Sequence, residues 1–142
     1  MRTISAVGML WMALGCGSDS AGIDEILYSS VGTWTGTAAG GAWLEMTVIT
    51  EATGCCFRLA SGQGRTAGSV WDTLTMTFSG FNTTTGVLFN LRSDDDANLG
   101  QFTGQFSGNT SLVGVMLGPE AFGAPAAGPF PADSVAITLH RD

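Results

Sequence analysis

The stretch from Thr73 to Gly80, TLTMTFSG, alternates without a break: Leu74, Met76 and Phe78 fall on one side of an extended chain, and Thr73, Thr75, Thr77 and Ser79 on the other. A period of two rules out an amphipathic helix and specifies a strand with one dry and one wet face, as in antiparallel sheets. The same period puts Leu44, Met46 and Val48 on one face, then Val87, Phe89 and Leu91, then Val135, Ile137 and Leu139. Shorter candidate strands are Gly32 to Thr37, Cys55 to Ala60, Ala67 to Trp71, Gly100 to Ser107 and Ser111 to Leu117. Between them lie the turn-rich clusters EATG, SGQGR, GFNTTTG, SDDDANLG and SGNTS. About nine short strands at even spacing, with no amphipathic helix, predict an all-β domain: a small antiparallel up-and-down barrel, with a sandwich as the alternative. Hairpin-length links favour the barrel, because sequential hairpins make a meander that closes on itself.

Phased this way, Trp34, Met46, Phe57, Met76, Phe78, Phe89, Phe102, Phe106 and Ile137 point inward and are bulky enough to fill a small barrel. Gly36, Gly104 and Gly114 interrupt strands, where a glycine either leaves space for a ligand or permits a bend. A filled barrel and a ligand-holding one both fit the pattern.

The chain opens with MRTISAVGMLWMALG, a single Arg2 followed by an apolar run from Ile4 to Leu14 that is too short to span a bilayer as a helix. Residues 1–15 therefore read as a signal peptide, residues 16–30 as a short tether and residues 31–142 as the folded domain. The segment Ala13-Leu14-Gly15-Cys16 resembles the lipobox of bacterial lipoproteins. That resemblance implies that Cys16 is acylated and becomes the N-terminus, holding the protein to the cell envelope by its lipid. With Gly17 and Ser18 following the cysteine, it implies the outer membrane. Ordinary secretory cleavage between Gly17 and Gly22 is the alternative, and either route takes the chain out of the cytoplasm.

The sequence contains no lysine and carries a formal charge of −7. It lacks the basic patch that a phosphate backbone requires, so nucleic acid is not an expected partner. An acidic body is also repelled by an anionic bilayer, so membrane contact is expected through the lipid on Cys16 and not through the fold.

Gly32-Thr33-Trp34 at the start of the first strand resembles the G-x-W of lipocalins and related small barrels, and Leu139-His140-Arg141 closes the chain where those folds often carry a basic residue. The resemblance implies that Arg141 packs on Trp34. Strand parity agrees, because Arg141 shares a face with Val135, Ile137 and Leu139, where a charge is out of place unless it caps an aromatic ring. The other reading leaves Arg141 solvated at the terminus.

The segment Gly118 to Asp133 holds all four prolines of the chain together with Phe122 and Phe130. A connection this long in a small domain is usually functional or disordered. With Trp71, these two rings are the expected ligand-binding residues at the barrel mouth; the alternative is that both rings plug the open end as core.

Catalytic signatures are missing from the pattern. The one histidine, His140, falls on the polar face, and neither a G-x-S-x-G elbow nor a C-x-x-C pair occurs. Gly62 to Gly68 superficially resembles a phosphate loop but lacks its lysine and its helix, and reads as a turn. Glu45, Glu51 and Asp72 offer carboxylates with no sign of perturbed pKa values. Asp94, Asp96 and Asn98 take the first, third and fifth places of an EF-hand loop, but Leu99 and Gln105 replace its glycine and its bidentate glutamate, so the segment reads as an acidic hairpin tip with no metal. Cys55 would share the core face with Phe57 and Leu59 while Cys56 faces outward; free thiols, a vicinal disulfide and a cross-link all remain open. No cofactor is expected. Together these features predict a lipid-anchored, noncatalytic module of the cell envelope that binds a small apolar or amphipathic ligand. The competing reading is a filled barrel that contacts another envelope protein.

Overall fold

A computed structural model describes residues 28–53, 57–83 and 85–142. The signal peptide, Cys16, the tether up to residue 27, Cys55 and Cys56 lie outside the described residues. Eight antiparallel strands run in sequence order: β1 (Gly32–Thr37), β2 (Trp43–Thr53), β3 (Arg58–Gly68), β4 (Trp71–Asn82), β5 (Gly86–Ser93), β6 (Asn98–Ser107), β7 (Ser111–Leu117) and β8 (Val135–Arg141). Each pairs with its chain neighbours, and β8 returns to β1, so the sheet closes as an up-and-down barrel with no free edge. One end, end A, gathers the entry at Tyr28, the turns after β2, β4 and β6, and the C-terminus. End B gathers the turns after β1, β3 and β5 and the long segment between β7 and β8.

The strand count corrects the nine expected from the sequence. Cys55 to Ala60 and Ala67 to Trp71 are not separate strands: SGQGR, expected as a turn, is the middle of the continuous strand β3, and the turn falls at Ser69 and Val70. The Gly62 to Gly68 stretch is likewise strand and not turn. The face assignment is inverted there as well. Ala60, Gly62, Gly64 and Thr66 face the lumen, whereas Phe57 and Leu59 are exposed by 37 % and 52 %.

Glycines in β3 misled the sequence reading for a packing reason. A Cβ on Gly62 would lie 2.8 Å from the Cζ of Phe78 and 1.9 Å from the carbonyl oxygen of Thr47, so the glycine exists to let a ring and a neighbouring strand approach. Gly104 does the same for Phe102, and Gly36 for Leu139. These inward glycines make room for side chains of the protein itself, while Gly64, Gly80 and Gly114 admit the backbone of a neighbouring strand.

The lumen is accordingly full. Trp34, Leu44, Met46, Met76, Phe89, Leu91, Phe102, Leu112, Met116 and Leu139 are all buried to within 1 % of completely. Phe78 and Phe89 stack at 5.0 Å between ring centroids. Eight strands enclose just enough width for side chains, and these residues occupy it. Burying each large apolar side chain contributes about 1.5–3 kcal/mol.

The outside of the barrel is mostly polar. A row of paired residues, Thr47, Gln63, Thr77 and Arg92, crosses the wall from β2 to β5, and the next row carries Thr50, Ser61, Ser79, Asn90 and Gln101. This is the reverse of a transmembrane barrel, whose lipid-facing wall is apolar. Replacing Gly62 by Ala should lower the free energy of unfolding in urea by about 1–3 kcal/mol through overpacking. Gly40→Ala, where an added Cβ meets nothing within 4 Å, should leave it unchanged.

Candidate functional site

End B is closed by the chain itself. From Gly118 to Ser134 the segment begins with a single 3-10 turn, Pro119–Phe122, and then folds back so that Gly118 N–H donates to Pro131 O at 2.7 Å. Phe130 drops into the core at 4 % exposure, Gly128 rests on Leu99 and Leu74, and Pro129 lies against Gly68. The two phenylalanines thus part company: Phe130 is the plug, and Phe122 stands outside at 51 % exposure. Trp71 is half-buried at the start of β4. The three expected ligand-binding residues thus differ in environment: Phe130 is buried, Trp71 half-buried and Phe122 exposed.

The β5–β6 turn at the same end is acidic. Ser93 N–H donates to Ala97 O at 2.9 Å, and Asp96 takes the left-handed conformation at φ 65°. Asp94 accepts from Thr75 Oγ1, and Asp96 pairs with Arg92 at 3.6 Å. Among the described residues no group of three or more His, Cys, Asp or Glu is placed to hold a metal. His140 is exposed, its Nδ1 3.2 Å from Ser111 Oγ.

At end A, Arg141 lies over Trp34 with its guanidinium carbon 4.3 Å from the ring centroid. Its Nε donates to Asn109 O at 2.8 Å, and its two terminal nitrogens donate to Val31 O and Ser29 O. Trp34 Nε1 donates to Ser30 O at 2.8 Å, so ring and cation together hold the segment 29–31. Gly32, at φ 130°, gives the spacing of the G-x-W a reason: a Cβ there would sit 3.2 Å from the Arg141 guanidinium.

A second clamp on the same segment was not anticipated from the sequence. The Glu51 carboxylate accepts from Ser30 N–H at 2.6 Å, from the Ser30 and Ser29 hydroxyls, from Asn82 Nδ2 at 2.8 Å and from Arg58 at 3.0 Å. Burial pushes the Glu51 carboxyl up, but the bonds from Ser30, Asn82 and Arg58 outweigh it and hold the pKa at about 2, against 4.5 for a free glutamate. Asn82 is fully buried and also donates to Tyr28 O at 3.0 Å, while its Oδ1 has no partner among the described residues. The reverse amide orientation would set that oxygen against two acceptors, so the donor side is fixed. Only the carboxylate of Glu51 was visible in the sequence; its donors come from three other parts of the chain.

The outer wall beside this clamp is apolar. Ala52, Leu59, Phe81 and Leu88 are paired in one continuous row across β2 to β5. Phe57 meets Phe81 edge-on at 5.3 Å. A groove of about 480 Å³ opens there, walled by Phe57, Phe81 and Leu88 and rimmed by Thr83, Thr103 and Gln105, with no ionisable group among its described lining residues. A second hollow of about 490 Å³ lies on the other side of Phe81, over Ala52 and Leu59. Parity marks Phe81 in the sequence, since it continues the outward series Thr75, Thr77, Ser79. Trp43 differs from these exposed rings, being covered by the Arg65 guanidinium at 5.6 Å, which also pairs with Glu45 at 2.9 Å.

Compared with protein-family models, curated proteins and solved structures, the chain finds no match.

Two variants test the clamps. Arg141→Lys keeps the charge but loses the planar fork, and should cost about 2 kcal/mol in urea unfolding with a shift in Trp34 emission. Glu51 has a folded pKa below its unfolded one, so its contribution is complete above about pH 4.5 and disappears as the pH falls toward about 2. The stability advantage of the wild type over Glu51→Gln should therefore be constant near neutrality and shrink progressively below pH 4.5.

Proposed function

We propose that the chain is a noncatalytic interaction module of the cell envelope, held there by a lipid on Cys16, which contacts another envelope component through its outer surface. The observation that supports this reading is the filled lumen: Trp34, Met46, Met76, Phe89, Phe102 and Met116 occupy the space in which a carrier barrel would hold its cargo, and Phe130 blocks the end. What remains for recognition is the outside, where an apolar groove lies at end A and exposed carboxylates lie at end B. The partner suited to end B is a protein surface with complementary basic groups, since Asp94, Asp95 and Asp96 stand together on a tight turn. The alternative assignment, a carrier of a small apolar ligand with Phe122 at its mouth, has less support, because Phe130 is buried as core while Phe122 stands exposed.

Native mass spectrometry of the Cys16→Ser protein made in a bacterial periplasm separates the two. The expected spectrum is the bare polypeptide mass. A reproducible added mass of a lipid or metabolite, lost on denaturation, overturns the filled-barrel reading. Metabolic labelling with a fatty acid tests the anchor independently: label should enter the wild type and not Cys16→Ser.

A further inference from the structure

The net charge of −7 hides a strong polarity along the barrel. At end B, Asp72, Asp94, Asp95, Asp96, Glu120 and Asp133 are all exposed. At end A, Glu51 is paired with Arg58, Arg141 donates to the carbonyls of Val31 and Ser29, and the Asp142 carboxylate accepts from Thr35 Oγ1. The apolar surface is distributed the opposite way. Val31, Ile49, Phe57, Leu59 and Phe81, each exposed by more than a third, are toward end A, Val113 and Val115 lie midway along β7, and end B has Val70 and Phe122. Within the described barrel, the carboxylates that an anionic bilayer repels are therefore concentrated at end B, while Asp19, Asp24 and Glu25 add charge to the segment that precedes the barrel.

The described chain begins at end A. Tyr28 is held there by Asn82 and by its ring contact with Phe106 at 5.4 Å, so the chain from Cys16 joins the barrel at this end. The segment 16–28 reaches at most about 40 Å when fully extended. The clamps of Glu51 and Arg141 on residues 29–31 fix that point of departure on the barrel.

From the place where the chain enters the barrel, the concentration of exposed carboxylates at end B and the apolar groove at end A, we infer that end A is a docking surface for the lipid bilayer. The Phe57, Phe81 and Leu88 wall rests in the headgroup and upper acyl region, and the acidic turns point away from the membrane. This rests on the anchored reading of Cys16 for its strength: tethering raises the local lipid concentration so far that a small patch is sufficient. Aromatic rings suit the interfacial depth, and neutral threonine and glutamine at the groove rim accept headgroup hydrogen bonds without a charge to desolvate. A membrane-resting end A also leaves the acidic end free for a protein partner.

The test places tryptophan probes at the two ends of the full-length protein. Phe81→Trp and Phe122→Trp proteins, purified from the membrane fraction, are reconstituted into vesicles of phosphatidylethanolamine and phosphatidylglycerol with acyl chains brominated near the headgroup. Bromine should quench the added emission of Phe81→Trp several-fold more than that of Phe122→Trp. The native Trp43 and Trp71, both near end B, should remain unquenched. Leu88→Trp is the second probe if Phe81→Trp does not fold. Equal quenching at both ends, or none at either, overturns the docking surface. So does a lipid-free change in Phe81→Trp emission that follows protein concentration, which would assign this face to a second copy of the chain. Mass spectrometry of the same preparation reads acylation of Cys16 separately. An unacylated protein whose Phe81→Trp emission is still quenched by added vesicles retains the docking surface while the anchored reading falls.

Discussion

The ladder between β1 and β8 registers only two residue pairs, Trp34 with Arg141 and Thr35 with His140, whereas every other neighbouring pair of strands is joined by six or more. Closure of the barrel therefore depends on side chains at this seam. Arg141 supplies what the short ladder lacks: it covers the buried face of Trp34 and donates to carbonyls of residues 29, 31 and 109, which belong to the entry segment and to the β6–β7 turn. A guanidinium suits this position because it stays charged, lies flat on a ring and donates in several directions at once. Removing the closure would expose two strand edges and the core behind Trp34 together.

Closing the sheet around bulky residues has a second consequence. Once the lumen is occupied by the protein's own rings, the surface alone is left for recognition, and the surface is not uniform. Glu51 and Arg58 neutralise each other while orienting the chain entry through Ser29, Ser30 and Asn82. The same end carries the apolar row of Leu59, Phe81 and Leu88. Carboxylates collect at the opposite end because its hairpin tips are solvated and tolerate like charges, whereas the walls near Phe81 have none. The barrel is thus asymmetric: exposed apolar side chains gather toward end A and exposed carboxylates toward end B.

Alternation of side chains is a local property, so the strands β2, β4, β5 and β8 and their inward faces could be read directly; the pairing of Arg141 with Trp34 was implied by the lipocalin-like resemblance at the two ends of the chain, and strand parity agreed with it. The reading failed at β3, where RLASGQGRTAG has the composition of a turn; its strand conformation is imposed by β2 and β4 on either side, and its glycines answer to Phe78 and to close strand contact, neither of which is nearby in sequence. The division between Phe122 and Phe130 was equally out of reach, because which ring enters the core depends on how Gly118, Gly128 and Pro129 seat the segment against Leu99 and Gly68. The clamp on Glu51 assembles donors from residues 29, 30, 58 and 82, brought together only by the register of the closed sheet. The sequence alone determined an all-β chain of amphipathic strands, because burial period two is written residue by residue; the tertiary structure decided the strand number, the filled lumen and the contrast between the two ends, because each of these depends on which distant residues the closure of the barrel sets side by side.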